Sequence, residues 1–259
     1  MKNKNLYIIF ILLIVFASAN FAQQTQQTQS LSFPLPKLDV QVGSSDNPQD
    51  VSVTLQILLL MTILALAPSI MIMTTAYLRI IIVFHFLKSA LGTQQMPPGQ
   101  LLAGVALFVT FFVMAPTWNK VNEDALKPLM DEKITTEEAY NKGIEPIREF
   151  MFKHVRDEDL GLFVSLANMT RPNNRNELPT YIVIPAFVLS ELRTGFIIGF
   201  FLFIPFLMVD MIVSSILMSM GMMMLPPVMI SLPFKLIFFV LVDGWYMVCG
   251  SLIKSFGTV

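Results

Sequence analysis

Residues 51–73, VSVTLQILLLMTILALAPSIMIM, contain no charged side chain, and a helix needs about 20 such residues to cross a hydrocarbon core about 30 Å thick. The stretch predicts a membrane-spanning helix. Pro68 interrupts it, and in lipid a proline is tolerated only where neighbours or hydroxyls satisfy the carbonyl it frees; Ser69, Thr74 and Thr75 stand close enough in sequence to help. Two shorter apolar runs follow, 80–91 and 101–116, neither comfortable as an independent span. Between them Gly92-Thr93-Gln94-Gln95-Met96-Pro97-Pro98-Gly99 stops one helix and restarts another. A helical hairpin with a polar tip is the economical reading. Arg79 and Lys88 flank the tip with no acid nearby, so the excess of positive charge assigns it to the cytoplasmic side.

Composition agrees. Of 259 residues, 54% are hydrophobic and only 14% charged, well above the apolar share and below the charge of a soluble domain. The 22 Phe and 18 Met also exclude disorder, which requires low hydrophobicity. With a formal charge of -1 and no basic run, nothing is available to neutralise nucleic-acid phosphates. Cys249 stands alone, so an internal disulfide is excluded and no zinc-ligand spacing exists. No cofactor is expected.

Charge is distributed in blocks: six charged residues in 1–50, two in 51–117, twenty-one in 118–180 and six in 181–259. This pattern divides the chain. Residues 1–22 have a basic start, an apolar run 6–16 and small residues at 17, 19 and 22, which is the pattern of a signal peptide cleaved after Ala19 or Ala22; an uncleaved anchor is the alternative. Residues 23–50 read as a disordered leader, 51–117 as an N-terminal helical hairpin, 118–180 as a small helical extracytoplasmic domain, and 181–259 as C-terminal hydrophobic helices. Within 118–180, Thr135-x-x-Glu138 is a capping box, followed by Ile144, Ile147, Met151 and Val155 at helical spacing. Asp157-Glu158-Asp159 opens a second helix with acids where the dipole favours them, and Leu160, Phe163, Val164 and Leu166 form its apolar face. Residues 168–180 read as loop. The fold class is all-α and membrane-associated.

In 181–259, apolar runs 196–209 and 211–224 are joined through Asp210. Ionised groups in lipid cost several kcal/mol, so Glu191, Asp210 and Lys235 are expected to face a bundle interior, a partner or water. Glu191 and Lys235 lie on different segments and are free to pair between helices or between subunits; a proton relay is the weaker alternative, since no histidine or second acid accompanies them. Met218-Ser219-Met220-Gly221-Met222-Met223-Met224 then runs into Leu225-Pro226-Pro227. Methionine fills irregular space, and such a cluster serves ordinary bundle packing or, with several copies around an axis, a deformable constriction that excludes ions by dewetting.

The stretch 68–84, PSIMIMTTAYLRIIIVF, with Leu91-Gly92-Thr93 and Pro97-Pro98, resembles the FliP family of flagellar export-gate proteins, which is related to the R component of injectisomes. So do ALFVTFF at 106–112, PIREFM at 146–151, DLGLF at 159–163, Ser190-Glu191-Leu192, IPFL at 204–207, Gly221-Met222-Met223-Met224 with Pro226-Pro227, LPFKL at 232–236 and VDGW at 242–245. The resemblance runs from about residue 51 to the C-terminus and favours the flagellar branch. It implies a pentamer, joined by FliQ and FliR in a ring-like, helical gate whose hairpins pack between subunits, in the bacterial inner membrane at the flagellar basal body. It further implies cooperation with FlhA and FlhB, and unfolded flagellar proteins as cargo. Carried over residue by residue, it makes Met222, Met223 and Met224 a pore constriction and Glu191, Asp210 and Lys235 the buried charges of the gate. Met220 is an addition to that motif, and the resemblance leaves its role open.

Other classes fit less well. A secondary transporter of a small solute or ion would use the interrupted helices and intramembrane charges, but no internal repeat relates the two halves. An intramembrane hydrolase lacks parts: His85 and His154 lie in different blocks, and no metal-binding or nucleophile motif occurs.

Overall fold

The computed structural model describes residues 48–93, 96–169, 174–222 and 226–257, with side chains from residue 55 onward except at 176. The expected signal peptide, the leader up to residue 47, and Met223 and Met224 lie outside the described residues. Residues 48–50, expected to end the leader, open the first helix instead.

Every regular element among the described residues is helical. Helix α1 is Pro48–Thr74, α2 Tyr77–Leu91, α3 Gly99–Val121, α4 Lys127–Met130, α5 Thr136–His154, α6 Asp157–Leu166, α7 Thr180–Ser219, α8 Pro227–Leu241 and α9 Gly244–Ser255. The part of α1 from Leu55 is exposed over almost its whole circumference. Hydroxyls do not serve Pro68 as expected: Thr74 donates to the Ile70 carbonyl at 2.9 Å, and the Thr75 hydroxyl accepts from the Tyr77 N–H. Three helical stretches, Leu55–Thr74, Gly99–Met130 and Thr180–Ser219, are long and apolar enough to cross a membrane. Helices α8 and α9 make a fourth if the pair, bent by 62°, is one span.

Two helices run further than the apolar runs that mark them in the sequence. Helix α3 runs past Pro116 and, through a π-helical turn at Asn122–Leu126, continues to Met130, across the expected boundary at 117. The runs 196–209 and 211–224 form one helix up to Ser219, which carries Pro185, Pro205 and Asp210 without ending. Proline removes one intrahelical hydrogen bond but does not terminate a helix that packing holds on either side. At 40 residues, α7 is about 60 Å long at 1.5 Å per residue.

Helix α2 is the centre of the fold, lying against α3 and α7. Ile80, Val83 and Phe84 of α2 share one core with Val113 and Met114 of α3, Phe150 and Met151 of α5, Leu160 of α6, Ile182 and Phe187 of α7, and Leu252 and Phe256 at the C-terminal end. The charge-rich block therefore packs into the same core as the apolar helices. Its capping box forms as expected, with the Glu138 N–H donating to the Thr135 hydroxyl and the Thr135 N–H to the Glu138 carboxylate. On α6, Leu160 and Val164 are buried, but Leu166 is exposed rather than on the apolar face. Residues 168–180 are not wholly loop: a 3-10 turn occupies Arg175–Glu177. Where α7 crosses α2 the backbones approach closely, and a Cβ at Gly199 would lie 2.5 Å from the Phe86 ring, a spacing only glycine permits.

Candidate functional site

Three features concentrate the polar chemistry and the methionines. The first is a buried ion pair. Arg79, one turn into α2, donates from Nε to Glu191 Oε2 of α7 at 2.8 Å and from Nη2 to Oε1, so the planar guanidinium grips the carboxylate with both arms. Both side chains are excluded from solvent, at 4% and 0% exposure. The third arm, Nη1, donates to the Ser255 carbonyl at 3.2 Å and its hydroxyl at 3.0 Å, and the guanidinium carbon lies 3.8 Å from the centroid of the Phe256 ring. One arginine thus joins α2, α7 and the end of α9.

The second feature is the pair Asp210 and Lys235. The Lys235 ammonium, 3% exposed, donates to Asp210 Oδ2 at 2.6 Å and to the Ala90 carbonyl at 3.2 Å, while the Ser231 hydroxyl donates to the other Asp210 oxygen. Ser231 and Lys235 are four residues apart on α8 and share a face. Ala90 lies in the last turn of α2, where carbonyls lack intrahelical partners and the helix dipole favours a cation. The pair therefore clamps α7 to α8 and both to the end of α2.

The expected pairing of Glu191 with Lys235 is not formed: each has a different partner, Arg79 and Asp210 respectively, within the same chain. Arg79 also loses its expected role as a marker of orientation, because its charge is neutralised by Glu191 rather than displayed at the hairpin tip.

The third feature is the methionine turn. Helix α7 ends because Gly221 takes a left-handed conformation, φ 77°. Its N–H reaches the Met218 carbonyl at 3.0 Å and the Met222 N–H the Leu217 carbonyl at 3.1 Å, the paired closure of a Schellman motif. Met218, Met220 and Met222 are all exposed, Met222 by 40%. Glycine is needed at this position because a left-handed residue with a Cβ is strained.

Sequence reasoning missed the partners that complete these sites: Arg79 as the base for Glu191, Ser231, and the Ser255–Phe256 end. Arg148 was also missed; it is buried, donating to the Thr180 hydroxyl at 2.6 Å and the Leu178 carbonyl at 2.7 Å where α7 begins. The available signals were an arginine in the first turn of an apolar helix and a serine one turn before a buried lysine.

His154 ends α5 beside Phe256. Its Nδ1 lies 2.8 Å from the Phe150 carbonyl and its Nε2 3.3 Å from the Phe256 carbonyl. Burial pushes the imidazole below its ordinary value; the two carbonyls oppose this, and the Arg79 and Lys153 cations add to it. A histidine with a depressed pKa in the folded state binds fewer protons there, so its contribution to docking the C-terminal end is present above the free value of about 6.5 and is lost as the pH falls through it. Thermal unfolding in detergent is expected to occur at a lower temperature at pH 5.5 than at pH 7.5, with the difference reduced in His154→Gln. An equal difference in the variant would assign the pH dependence to other groups.

Among the described residues, no group of three or more histidine, cysteine or carboxylate side chains is placed to hold a metal.

Residues 60–252 match the FliP family. The chain is 55% identical over 217 residues to the flagellar biosynthetic protein FliP of Bacillus subtilis, covering 84% of this chain and 98% of the relative. It is 48% identical over 252 residues to the protein of the same name from Borreliella burgdorferi, covering 95% and 97%. With that of Caulobacter vibrioides it shares 53% over 201 residues, covering 78% and 76%. A membrane-associated, all-helical component of the flagellar export apparatus and not an enzyme, the chain belongs to the FliP family of flagellar biosynthetic proteins.

Proposed function

We propose that this chain is a core subunit of the export gate of the flagellar type III secretion apparatus, in the inner membrane at the basal body. Five copies assemble with FliQ and FliR around a channel for unfolded flagellar subunits, cooperating with FlhA and FlhB. Met222, Met223 and Met224 close that channel, and the 118–180 block lies on the extracytoplasmic side.

The observation that carries this reading is the surface of the α7–α8 hairpin. From Phe196 onward α7 exposes Ile197, Phe200, Phe201, Met208, Met211, Ile212 and Ile216, and α8 exposes Met229, Phe234, Ile237 and Val240. Helix α7, about 60 Å long, is roughly twice the thickness of the hydrocarbon core, so lipid tails alone do not cover it unless it is steeply inclined. Sister subunits cover such a surface. The exposed methionine turn lies at the tip of this hairpin, about three turns from the Asp210–Lys235 clamp, the position required of a flexible stopper on a fixed stem. Thioether side chains exclude ions by dewetting and yield to a larger cargo.

Replacing Met222, Met223 and Met224 together with alanine is expected to raise the ion conductance of the assembled complex in a planar bilayer at least about tenfold, since each substitution removes most of a side chain from a dewetted constriction. The quantity of assembled complex is expected to be little changed. Unaltered conductance would count against the seal.

A further inference from the structure

Helix α3 does not pass into α4 as an ordinary helix. Asn122–Leu126 form a π-turn, in which the Lys127 N–H donates to the Asn122 carbonyl, five residues back rather than four. Such a turn holds one residue more than the α-helical turn it replaces, and such turns recur at functional sites. One cause is local. Pro128 has no N–H to donate, and in a regular helix its ring would meet the carbonyl of Asp124, four residues earlier; a wider turn relieves that clash.

The other cause is phase. Val113, Met114 and Thr117 of α3 are buried. Seven residues make two α-helical turns to within about 20°, so a regular helix would bring Asp124 onto the Thr117 face and turn Ala125 about 80° aside. The structure has the reverse: Ala125 is buried and Asp124 is exposed. The extra residue keeps a carboxylate out of the packed face and puts a methyl group there. Ala125 sits against Gly143 of α5, where a Cβ would lie 3.3 Å from the Ala125 Cβ, so the methyl occupies a notch that the missing side chain leaves open.

Packing differs on the two sides of the turn. Before it, α3 is fixed in the main core by Leu102, Ala106, Val109, Val113 and Met114. Beyond it, α4 buries no residue, and Leu126 and Met130 are exposed although they are apolar. Ala125 is the single buried residue of the turn itself. Segments with few buried contacts are the ones that open and move at least cost. We propose that the π-turn is a hinge: Ala125, seated on Gly143, is the pivot, and α4 is the arm that turns about it while α3 stays fixed. The arm carries Leu126 and Met130, an apolar tip on an otherwise charged block. The hinge itself does not depend on the gate reading, but its use during export rests on it.

The test is amide hydrogen exchange, read by mass spectrometry on the full-length chain purified with FliQ and FliR, with secretion of flagellar proteins measured in the same strains. Amides of residues 122–130 are expected to exchange at least about tenfold faster than those of 105–117. Deleting Asp124 brings Ala125 onto the Thr117 face of a regular helix. The deletion is expected to slow exchange at 122–130 at least about tenfold, to leave 105–117 unchanged, and to lower secretion severalfold. Pro128→Ala, which keeps the chain length and supplies the missing N–H, is expected to slow the same segment by a smaller factor, and it carries the test if the deletion variant does not accumulate. Exchange at 122–130 as slow as at 105–117 in the unsubstituted chain, or full secretion once exchange has been slowed, would overturn the hinge. A strain that secretes normally without this chain would overturn the gate reading instead.

Discussion

Glu191→Leu is expected to abolish accumulation of folded protein, whereas Arg79→Met combined with Glu191→Leu recovers it. The carboxylate is fully buried and holds two arms of Arg79. Removing it leaves a guanidinium in the core with no counter-charge, which costs about 3–5 kcal/mol, a large part of the 5–15 kcal/mol that keeps a typical domain folded. Replacing both partners by apolar side chains of similar size removes the desolvation penalty along with the attraction, and such exchanges are often neutral. Recovery of folding is not recovery of function. Arg79 also holds the Ser255 carbonyl and hydroxyl and stacks on Phe256, so the double variant loses the anchor of its C-terminal end. Yield and melting temperature in detergent are expected to return, and motility in soft agar to stay depressed. A single variant with an unchanged melting temperature would contradict the account of this pair.

Exchanging Asp210 and Lys235 is expected to fail where a simple charge pair would survive it. Lys235→Ala alone strands the Asp210 carboxylate, with a cost again of about 3–5 kcal/mol, and motility is expected to be lost. In the double variant Asp210→Lys with Lys235→Asp the two charges still face each other. The carboxylate, however, now meets the Ala90 carbonyl at the negative end of α2, where an ammonium had donated a hydrogen bond, and Ser231 loses its bond across to α7, keeping only the Val228 carbonyl of its own helix. Helix α8 is then repelled from α2 instead of held by it. Motility assays of both singles and the double test this: full restoration in the double variant would mean that the charges matter only to each other and that α2 takes no part.

How far the sequence specified these contacts depended on range. Local devices were legible: the Thr135–Glu138 capping box, the acids that open α6, and the helix stop at Gly92 all formed where their residue types require. Helix continuity was less legible. The apolar run ending at Pro116 and the boundary at 117 read as an end, but packing on both sides carried α3 through them. Partners across the fold were not legible. Glu191 meets a residue 112 positions earlier, and no spacing rule connects them; with Arg79, Arg148 and Lys235 all buried bases, the Glu191–Lys235 match was one of several, and the arrangement of α2 against α7 and α8 decided otherwise. The same arrangement took Arg79 away from the hairpin tip. Lys88 is left as the base on which the orientation argument from charge now rests.

The claim that the apolar helices face sister chains, with the methionine turns gathered on a common axis, is tested most directly at Met222. In a full-length chain carrying Met222→Cys and Cys249→Ser, extracted with its partners, oxidation is expected to join copies into covalent dimers, because turns around one axis lie within disulfide reach. A thiol that never cross-links and is instead labelled by a lipid-soluble reagent would place the turn against acyl chains and contradict the account.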